Sequence, residues 1–116
     1  MNMTEDPDTL SSGQDSDGVE CQISRRQWQE YVAKRPEIED ALELTKAALK
    51  SAEGVEPDKH RPADEAGRYF RLLRIAGQGR WARHVLVVSV KYVRQSNERW
   101  TKFYQSCWYE RKKEDL

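Results

Sequence analysis

The sequence has few cysteines, and none stands in a spacing typical of metal or redox sites. Cys21 and Cys107 lie far apart, without a CxxC motif or a nearby histidine. We therefore expect both thiols to be reduced, with Cys107 as a small core residue. The chain also lacks a Walker loop, a nucleophile elbow and a paired-carboxylate site, which disfavours NTPases and hydrolases of those kinds. No metal or other cofactor is expected.

Long apolar runs are absent as well. No segment approaches the roughly 20 apolar residues of a membrane span. The N-terminal sequence MNMTEDPDTLSSGQDSDGVE is acidic where a signal or transit peptide would be basic. The sequence thus predicts a cytoplasmic protein without a membrane partner.

Charge is distributed unevenly along the chain, although its net value is zero. Residues 1–24 hold six acids and no Lys or Arg, and residues 68–113 hold 12 Lys and Arg against only Glu98 and Glu110. We therefore expect the C-terminal half to present a basic surface that attracts an acidic partner.

The chain of 116 residues is long enough for one domain with a single core. Residues 1–22 are rich in Asp, Ser, Gly and Thr and poor in large aliphatic side chains, so we expect a disordered acidic leader. Residues 23–113 are expected to form one domain, followed by a tail over 114–116.

Two helices are predicted at the start of this domain. Ser24 and Gln27 have the spacing of a capping box, in which each side chain is expected to bond the other residue's backbone N–H, and Pro36 disfavours helix at Arg35. The first helix is therefore expected over 25–34. A second helix is expected to start at Pro36, to continue along a weakly apolar stripe and to end at Gly54, followed by a surface loop over 55–67.

Three strands are predicted after the loop, because residues 68–76, 84–93 and 99–109 are dense in β-branched and aromatic side chains and are separated by turn residues. Hairpin connections imply antiparallel pairing with the middle segment at the centre. The fold class predicted is α+β, with the two helices packed on an antiparallel sheet of three to four strands.

A basic sheet with interleaved aromatic residues has the chemistry needed to bind single-stranded nucleic acid, since cations neutralise phosphates and aromatic rings stack on bases. RNA is the expected polymer. The alternative is that the charges only solubilise the surface. The candidate binding residues are Arg68, Arg74, Arg83, Lys91 and Lys102.

A smaller set of residues has side chains suited to catalysis. His60 in the proline-rich loop and His84 at the start of the middle strand can exchange protons near neutral pH. Arg71, Thr101 and Tyr104 are of types that position or stabilise a phosphate, although all three are also ordinary strand residues.

Short motifs in this order resemble a known family. Trp-x-x-Tyr-Val-x-x-Arg-Pro-Glu at 28–37 precedes Glu-Pro-Asp-Lys at 56–59, Arg-Tyr-Phe-Arg at 68–71 and LVVSVKYV at 86–93. This pattern resembles the phage-associated nuclease-like domains of the barnase, EndoU, colicin-type and RelE-like (BECR) fold group. The resemblance implies one or two helices before a four-stranded antiparallel sheet.

The resemblance also implies metal-independent RNA cleavage by 2′-hydroxyl attack on the adjacent phosphate. Arg71 would clamp the phosphate, Thr101 and Tyr104 fall near the family's last-strand Thr and Tyr, and His60 completes the candidate catalytic set. The sequence departs from the family at Tyr31 and Arg35, where histidines are common.

Two functions therefore stay open: a toxin-type or phage-type RNase, and a non-catalytic module of the same fold. The module's basic sheet would bind nucleic acid or an acidic protein such as an antitoxin. Folding of the acidic leader over the basic sheet is a third arrangement consistent with the charges.

Overall fold

The computed structural model describes residues 8–61, 63 and 68–112, which form one six-stranded sheet and two helices. No helix in these ranges is long and apolar enough to cross a membrane. The elements are, in chain order, β1 (Thr9–Gln14), β2 (Glu20–Ser24), α1 (Arg25–Lys34), α2 (Leu42–Ser51), β3 (Gly54–Pro57), β4 (Tyr69–Ala76), β5 (His84–Arg94) and β6 (Trp100–Arg111).

The sheet has the strand order β1-β2-β6-β5-β4-β3 and is mixed. Strands β2 and β6 pair in parallel, whereas each of the other neighbouring pairs is antiparallel. The class α+β is right, but the expected antiparallel sheet of three to four strands is wrong. The parallel pair arises because the chain passes through both helices and three further strands before β6 returns beside β2.

The three strands that sequence analysis missed lie outside the β-branched segments. Strand β1 and the first three residues of β2 fall within residues 1–22, for which disorder was expected, and all but the first residue of β3 falls in the expected loop. The sequence of β1, TLSSGQ, has little intrinsic strand preference, so its conformation depends on pairing with β2. In β2 the alternation of buried Cys21 and Ile23 is a short period-two signal.

Helix α1 has the predicted bounds and N-cap. The Ser24 side chain accepts a hydrogen bond from the backbone N–H of Gln27 at 3.3 Å. The second half of the expected capping box is absent, because the Gln27 side-chain amide donates instead to the Gln105 carbonyl at 2.9 Å. Asp8 adds two other bonds at this end of α1, because its carboxylate accepts from the Ser24 hydroxyl and from the Arg26 backbone N–H.

Helix α2 begins later than predicted. Pro36–Ile38 forms a separate 3-10 turn, and α2 starts at Leu42 after the non-helical residue Ala41. This break allows both Ile38 and Ala41 to be buried in the core. The helix ends at Ser51, three residues before Gly54.

The three predicted C-terminal strands are confirmed to within two residues at each end. Their core-facing side chains, with those of β2 and the helices, form one apolar cluster. Trp28 of α1 packs on Tyr104 of β6 with ring centroids 5.4 Å apart, and Thr45 of α2 lies within 3.9 Å of the Cys107 thiol. Both helices therefore cover the same face of the sheet.

A bulge in β6 changes which side chains face the helices. Val90 pairs with Tyr104 and Ser89 pairs with Ser106, so Gln105 is the extra residue. Strict alternation would put Cys107 on the face opposite Tyr104, but the bulge brings both into the core and turns Trp108 to the other face. The bond from Gln27 satisfies the Gln105 carbonyl at this irregularity.

We predict that Gly77→Ala destabilises the fold by at least about 2 kcal/mol, since overpacking typically costs 1–3 kcal/mol. A Cβ at Gly77 would clash with the Trp81 carbonyl oxygen and lie 2.8 Å from that of His84, which closes the β4–β5 connection. Urea denaturation measures the change.

Gly54→Ala is the matched control. A Cβ at Gly54 would come no closer than 3.6 Å to Arg74, which is an ordinary van der Waals contact. Equal stability of the Gly77→Ala protein and the wild type would show that this connection is not tightly packed.

Candidate nucleic-acid interface

The face of the sheet opposite the helices is called here the open face. In the described ranges no helix lies on it. It is formed by alternate residues of β4, β5 and β6, and the large side chains on it are partly exposed: Phe70, Leu72, Arg74, Lys91, Phe103 and Trp108.

Two aromatic rings and one cation lie in a single row across the open face. Phe70 of β4 pairs with Lys91 of β5, and Lys91 pairs with Phe103 of β6. Because neighbouring strands are 4.7–4.9 Å apart, the two Phe residues are separated by about 10 Å with the lysine between them. Arg61, in the loop after β3, adds a second cation 5.6 Å above the Phe70 ring. We call these four residues the Phe-Lys-Phe row.

A second region of the open face is neutralised by acids. Arg74 forms ion pairs with Glu56 at 2.7 Å and with Glu110 at 2.9 Å, and Glu110 also accepts from the Trp108 indole at 2.9 Å. The hydrogen bonds that Arg74 donates to Glu110 and Glu56 raise the pKa of its guanidinium. Positive charge available to a ligand is therefore concentrated at the Phe-Lys-Phe row.

Lys102, expected to bind nucleic acid, is buried on the helix side. Its ammonium group lies 2.8 Å from the Asp15 carboxylate, 2.7 Å from the Leu49 carbonyl near the end of α2, and 5.6 Å from the centre of the Tyr92 ring. Only 6% of the Lys102 side chain and 8% of the Asp15 side chain are exposed. Lys102 is thus a structural anchor for the β1–β2 turn and the C-terminal end of α2.

Burial and pairing shift the pKa values of both Asp15 and Lys102. Burial by itself raises the pKa of Asp15, but hydrogen bonds from Lys102 and from the N–H groups of Val19 and Asp17 outweigh it and lower that pKa. For Lys102, burial favours the neutral form, yet the hydrogen bond to Asp15 leaves its pKa raised. Both shifts favour the charged pair.

Arg71 lies on the helix side of β4, beyond the end of α2. Its guanidinium is exposed and lies 5.0 Å from the Tyr69 ring centre and 5.2 Å from that of Tyr92. The two rings stack with centroids 4.6 Å apart. Arg71 has no carboxylate partner within the described ranges and borders a cavity of about 180 Å³ that also contains Asp15 and Lys102.

The four candidate catalytic residues are not assembled in one cleft. Tyr104 is 1% exposed and donates to the Cys107 sulfur at 3.5 Å, and burial raises its pKa. Thr101 is also buried but lies on the open face, opposite to Tyr104 and Arg71. His60 is exposed in the loop after β3, where its N–H donates to Asp58.

The remaining candidates lie at the ends of strands. Arg68 is exposed just before β4, and Arg83 is exposed before β5, where its carbonyl accepts from the Lys112 N–H. The ring of His84 packs edge-on against Trp81 with centroids 5.0 Å apart. Of the five predicted binding residues, only Lys91 lies in the Phe-Lys-Phe row.

Sequence analysis did not single out Phe70, Phe103 and Arg61. Strand alternation puts Phe70 on the face opposite Tyr69 and Phe103 on the face opposite Tyr104, but alternation cannot show which face the helices cover. Arg61 lies in a loop, and its position over Phe70 depends on the turn at Asp58, whose N–H donates to the Phe70 carbonyl.

Comparison with protein-family models, curated proteins and solved structures gives no match for this chain. The BECR resemblance therefore stays an expectation from short motifs. Within the described ranges no cluster of His, Cys, Asp and Glu is arranged to hold a metal ion.

We predict that Asp15→Asn lowers the free energy of unfolding at neutral pH by about 3 kcal/mol, because it leaves the Lys102 ammonium buried without its counter-charge. The pKa of Asp15 in the folded state lies below its ordinary value of 3.8. The contribution of the charged pair is consequently present above that value and lost as the pH falls through the folded pKa.

Urea denaturation from neutral pH to about pH 3 tests both statements. The difference in the free energy of unfolding between the wild type and Asp15→Asn should become smaller near pH 3. Asp17→Asn is the matched control, since its carboxylate is exposed and has no hydrogen-bond or ion-pair partner within the described ranges. If the two substitutions lowered the free energy of unfolding equally, the pair of Asp15 and Lys102 would not be a structural anchor.

Proposed function

We propose that this protein is a non-catalytic binding module that holds single-stranded RNA on the open face of its sheet. The observation that carries the proposal is the Phe-Lys-Phe row, in which Lys91 stands between Phe70 and Phe103 on the face away from the helices.

The chemistry of this row matches that of an unpaired RNA strand. Aromatic side chains stack on any base, and each stacked base contributes about 1–3 kcal/mol by alanine substitution. Lys91 and Arg61 supply charges for the phosphates that link such bases. RNA is preferred over duplex DNA as the ligand because its loops and ends present unstacked bases.

Binding is favoured over cleavage by the positions of the candidate catalytic residues. General acid and base groups must come within hydrogen-bond reach of one phosphate and its neighbouring hydroxyl. Thr101 and Tyr104 are both buried and on opposite faces of the sheet, so no single phosphate can contact both. The RNase alternative requires a different arrangement of β6.

The test is binding of a labelled, mixed-sequence single-stranded RNA, measured by fluorescence anisotropy at several salt concentrations. Phe70→Leu and Phe103→Leu should each weaken binding roughly fivefold or more, since leucine keeps apolar contact but cannot stack. Phe103→Tyr should retain wild-type affinity. The RNA should remain intact during the incubation, with and without EDTA.

Lys91→Gln, compared with Arg83→Gln, separates the row from general electrostatic attraction. Both substitutions remove one cation, but Arg83 lies beyond the other end of β5. Plotted against the logarithm of the salt concentration, the logarithm of the binding constant falls with a certain slope. Lys91→Gln should reduce the size of this slope by about 0.7, which is the contribution of one phosphate contact in a single strand. Arg83→Gln should leave it unchanged.

Two results would reject the proposal. Cleavage of the RNA in the presence of EDTA would support the metal-independent RNase instead. RNA affinity that depends on Lys91 but not on either phenylalanine would also reject it, because the RNA would then be held by charge without base stacking.

A further inference from the structure

Strand β1 forms one edge of the sheet, and within the described ranges no strand pairs with its outer side. The backbone N–H of Asp15 donates to the Val19 carbonyl, and the same register continues along β1 and β2. Alternation of an antiparallel ladder then turns the backbone groups of Gly13 towards β2 and those of Ser12 and Gln14 away from it. Both Ser12 and Gln14 are exposed. The edge therefore offers backbone donors and acceptors to another strand.

The sequence of β1 has little that protects such an edge. Natural edge strands are commonly blocked by charged side chains, by proline or by very short length. Strand β1 has six residues, TLSSGQ, without a charge or a proline. Its one irregularity lies near its start, between Thr9 and Ser11, and leaves the rest of the strand regular.

The opposite edge of the sheet, β3, is protected in several ways. It has only four residues and ends in Pro57, which has no N–H to donate. At one end the Asp58 N–H bonds the Phe70 carbonyl, and at the other the Glu53 carboxylate accepts from the Ala76 N–H. Of the two edges, β1 is thus the one suited to pairing.

The two ends of β1 differ in charge. Beside its start, Arg25 and Arg26 are exposed and outnumber the single carboxylate of Asp8. Beyond its end, Asp17 and Glu20 are exposed acids. A strand that complements this edge must carry its charges in the reverse order. A second copy of β1 does so when it runs antiparallel, whereas a parallel copy would bring like charges together.

We propose that two copies of this chain associate through antiparallel pairing of their β1 strands, with the twofold axis at Gly13. Ser12 of each copy then lies opposite Gln14 of the other, and the two pairs exchange four backbone hydrogen bonds. In this register Asp17 of one copy lies opposite Thr9 of the other. It comes within reach of the Arg25 side chain, because the Arg25 N–H bonds the Asp8 carbonyl beside Thr9.

The pairing would join the two open faces into one surface. The twofold axis of an antiparallel pair is perpendicular to the sheet, so both open faces lie on the same side. The Phe-Lys-Phe row continues across β2 to β1, because Phe103 pairs with Gln22 and Gln22 pairs with Ser12. Five strand spacings of about 4.8 Å would then separate the two Phe103 residues by about 24 Å, with an offset of about 7 Å along the strands. This consequence rests on the RNA-binding function proposed above, whereas the dimer itself does not.

Sedimentation velocity of the full chain without RNA tests the dimer. A paired edge of six residues is a small interface, so association is expected to be weak and is followed from about 1 µM to about 1 mM. The sedimentation coefficient should rise to the value of a dimer and no further, because twofold pairing uses each β1 edge once. A monomer at the highest concentration, or growth beyond a dimer, would overturn the proposal.

Proline variants identify the edge that pairs. Ser12→Pro removes an N–H that points away from β2, so it should weaken the dimer roughly tenfold or more while β1 stays paired with β2. Val55→Pro is the matched control, because alternation from the Asp58 bond turns the Val55 N–H away from β4 at the other edge. It should leave the association unchanged. Circular dichroism verifies that both variants fold, and equal effects of the two prolines would overturn the assignment to β1.

A charge exchange tests the antiparallel orientation without touching the backbone of β1. Asp17→Lys and Arg25→Glu should each weaken the dimer roughly fivefold, since the twofold axis repeats every contact. The double variant should recover most of the wild-type association, because the two charges attract again with their signs exchanged. A double variant that associates no better than either single variant would contradict this orientation.

The position of the twofold axis has its own test. The Lys50 side chain packs over Gly13, where a Cβ would lie 3.6 Å from the Lys50 Cε. An axis at Gly13 brings the two Lys50 side chains together, so Lys50→Gln should strengthen the dimer. Lys46→Gln removes the same charge four residues earlier on α2, from a lysine already paired with Glu43, and should have little effect. Unchanged association of Lys50→Gln would exclude this axis.

RNA length separates the dimer from the proposed function. At concentrations where the dimer forms, an RNA of about 16 nucleotides should gain more affinity over one of about four than the Ser12→Pro protein shows, because it can reach both rows. A dimer without this gain would overturn the shared RNA surface. A dimer that binds no RNA would overturn the proposed function alone, and a monomer that binds RNA would overturn this inference alone.

Discussion

The ammonium group of Lys102 lies where three parts of the chain meet. It joins β6 to the turn between β1 and β2 through Asp15, and to the C-terminal end of α2 through the Leu49 carbonyl. A buried charge is costly unless it is paired and hydrogen-bonded, so each of these contacts depends on the others. The acidic N-terminal segment belongs to the folded sheet through this interaction.

This arrangement gives the acids of the first 24 residues separate roles. Asp8 accepts from Ser24 and Arg26 at the start of α1, and Asp15 pairs with Lys102. Asp17 is exposed in the β1–β2 turn, and Glu20 is exposed at the start of β2. The described part of this segment therefore forms the edge of the sheet and does not lie over the open face as a mimic of nucleic acid.

The two faces of the sheet differ because of the helices and the bulge at Gln105. The helices cover the face with Tyr104 and Cys107, where burial raises the pKa of both side chains. The other face keeps Phe70, Phe103 and Lys91 partly exposed. The proposed RNA site follows from this division, since it lies on the face that the helices leave uncovered.

The sequence by itself determined helix α1, the three C-terminal strands and their antiparallel order. These features depend on local signals: the Ser24 cap, Pro36, and runs of β-branched and aromatic residues around two turns. Local signals also identified Lys91 and the aromatic residues of the sheet as candidates for binding nucleic acid. They could not assign Phe70 and Phe103 to a face, because alternate residues of these strands are mixed on both sides.

Only the tertiary structure decided the remaining features. Strand β1 has weak intrinsic preference and forms because β2 pairs with it, and β2 is held in turn by its parallel pairing with β6. The partner of Lys102 is 87 residues away in sequence, so no local pattern could show that this lysine is buried. Long-range pairing of charges and strands thus separated the structural cations, Lys102 and Arg74, from Lys91, which is left for a ligand.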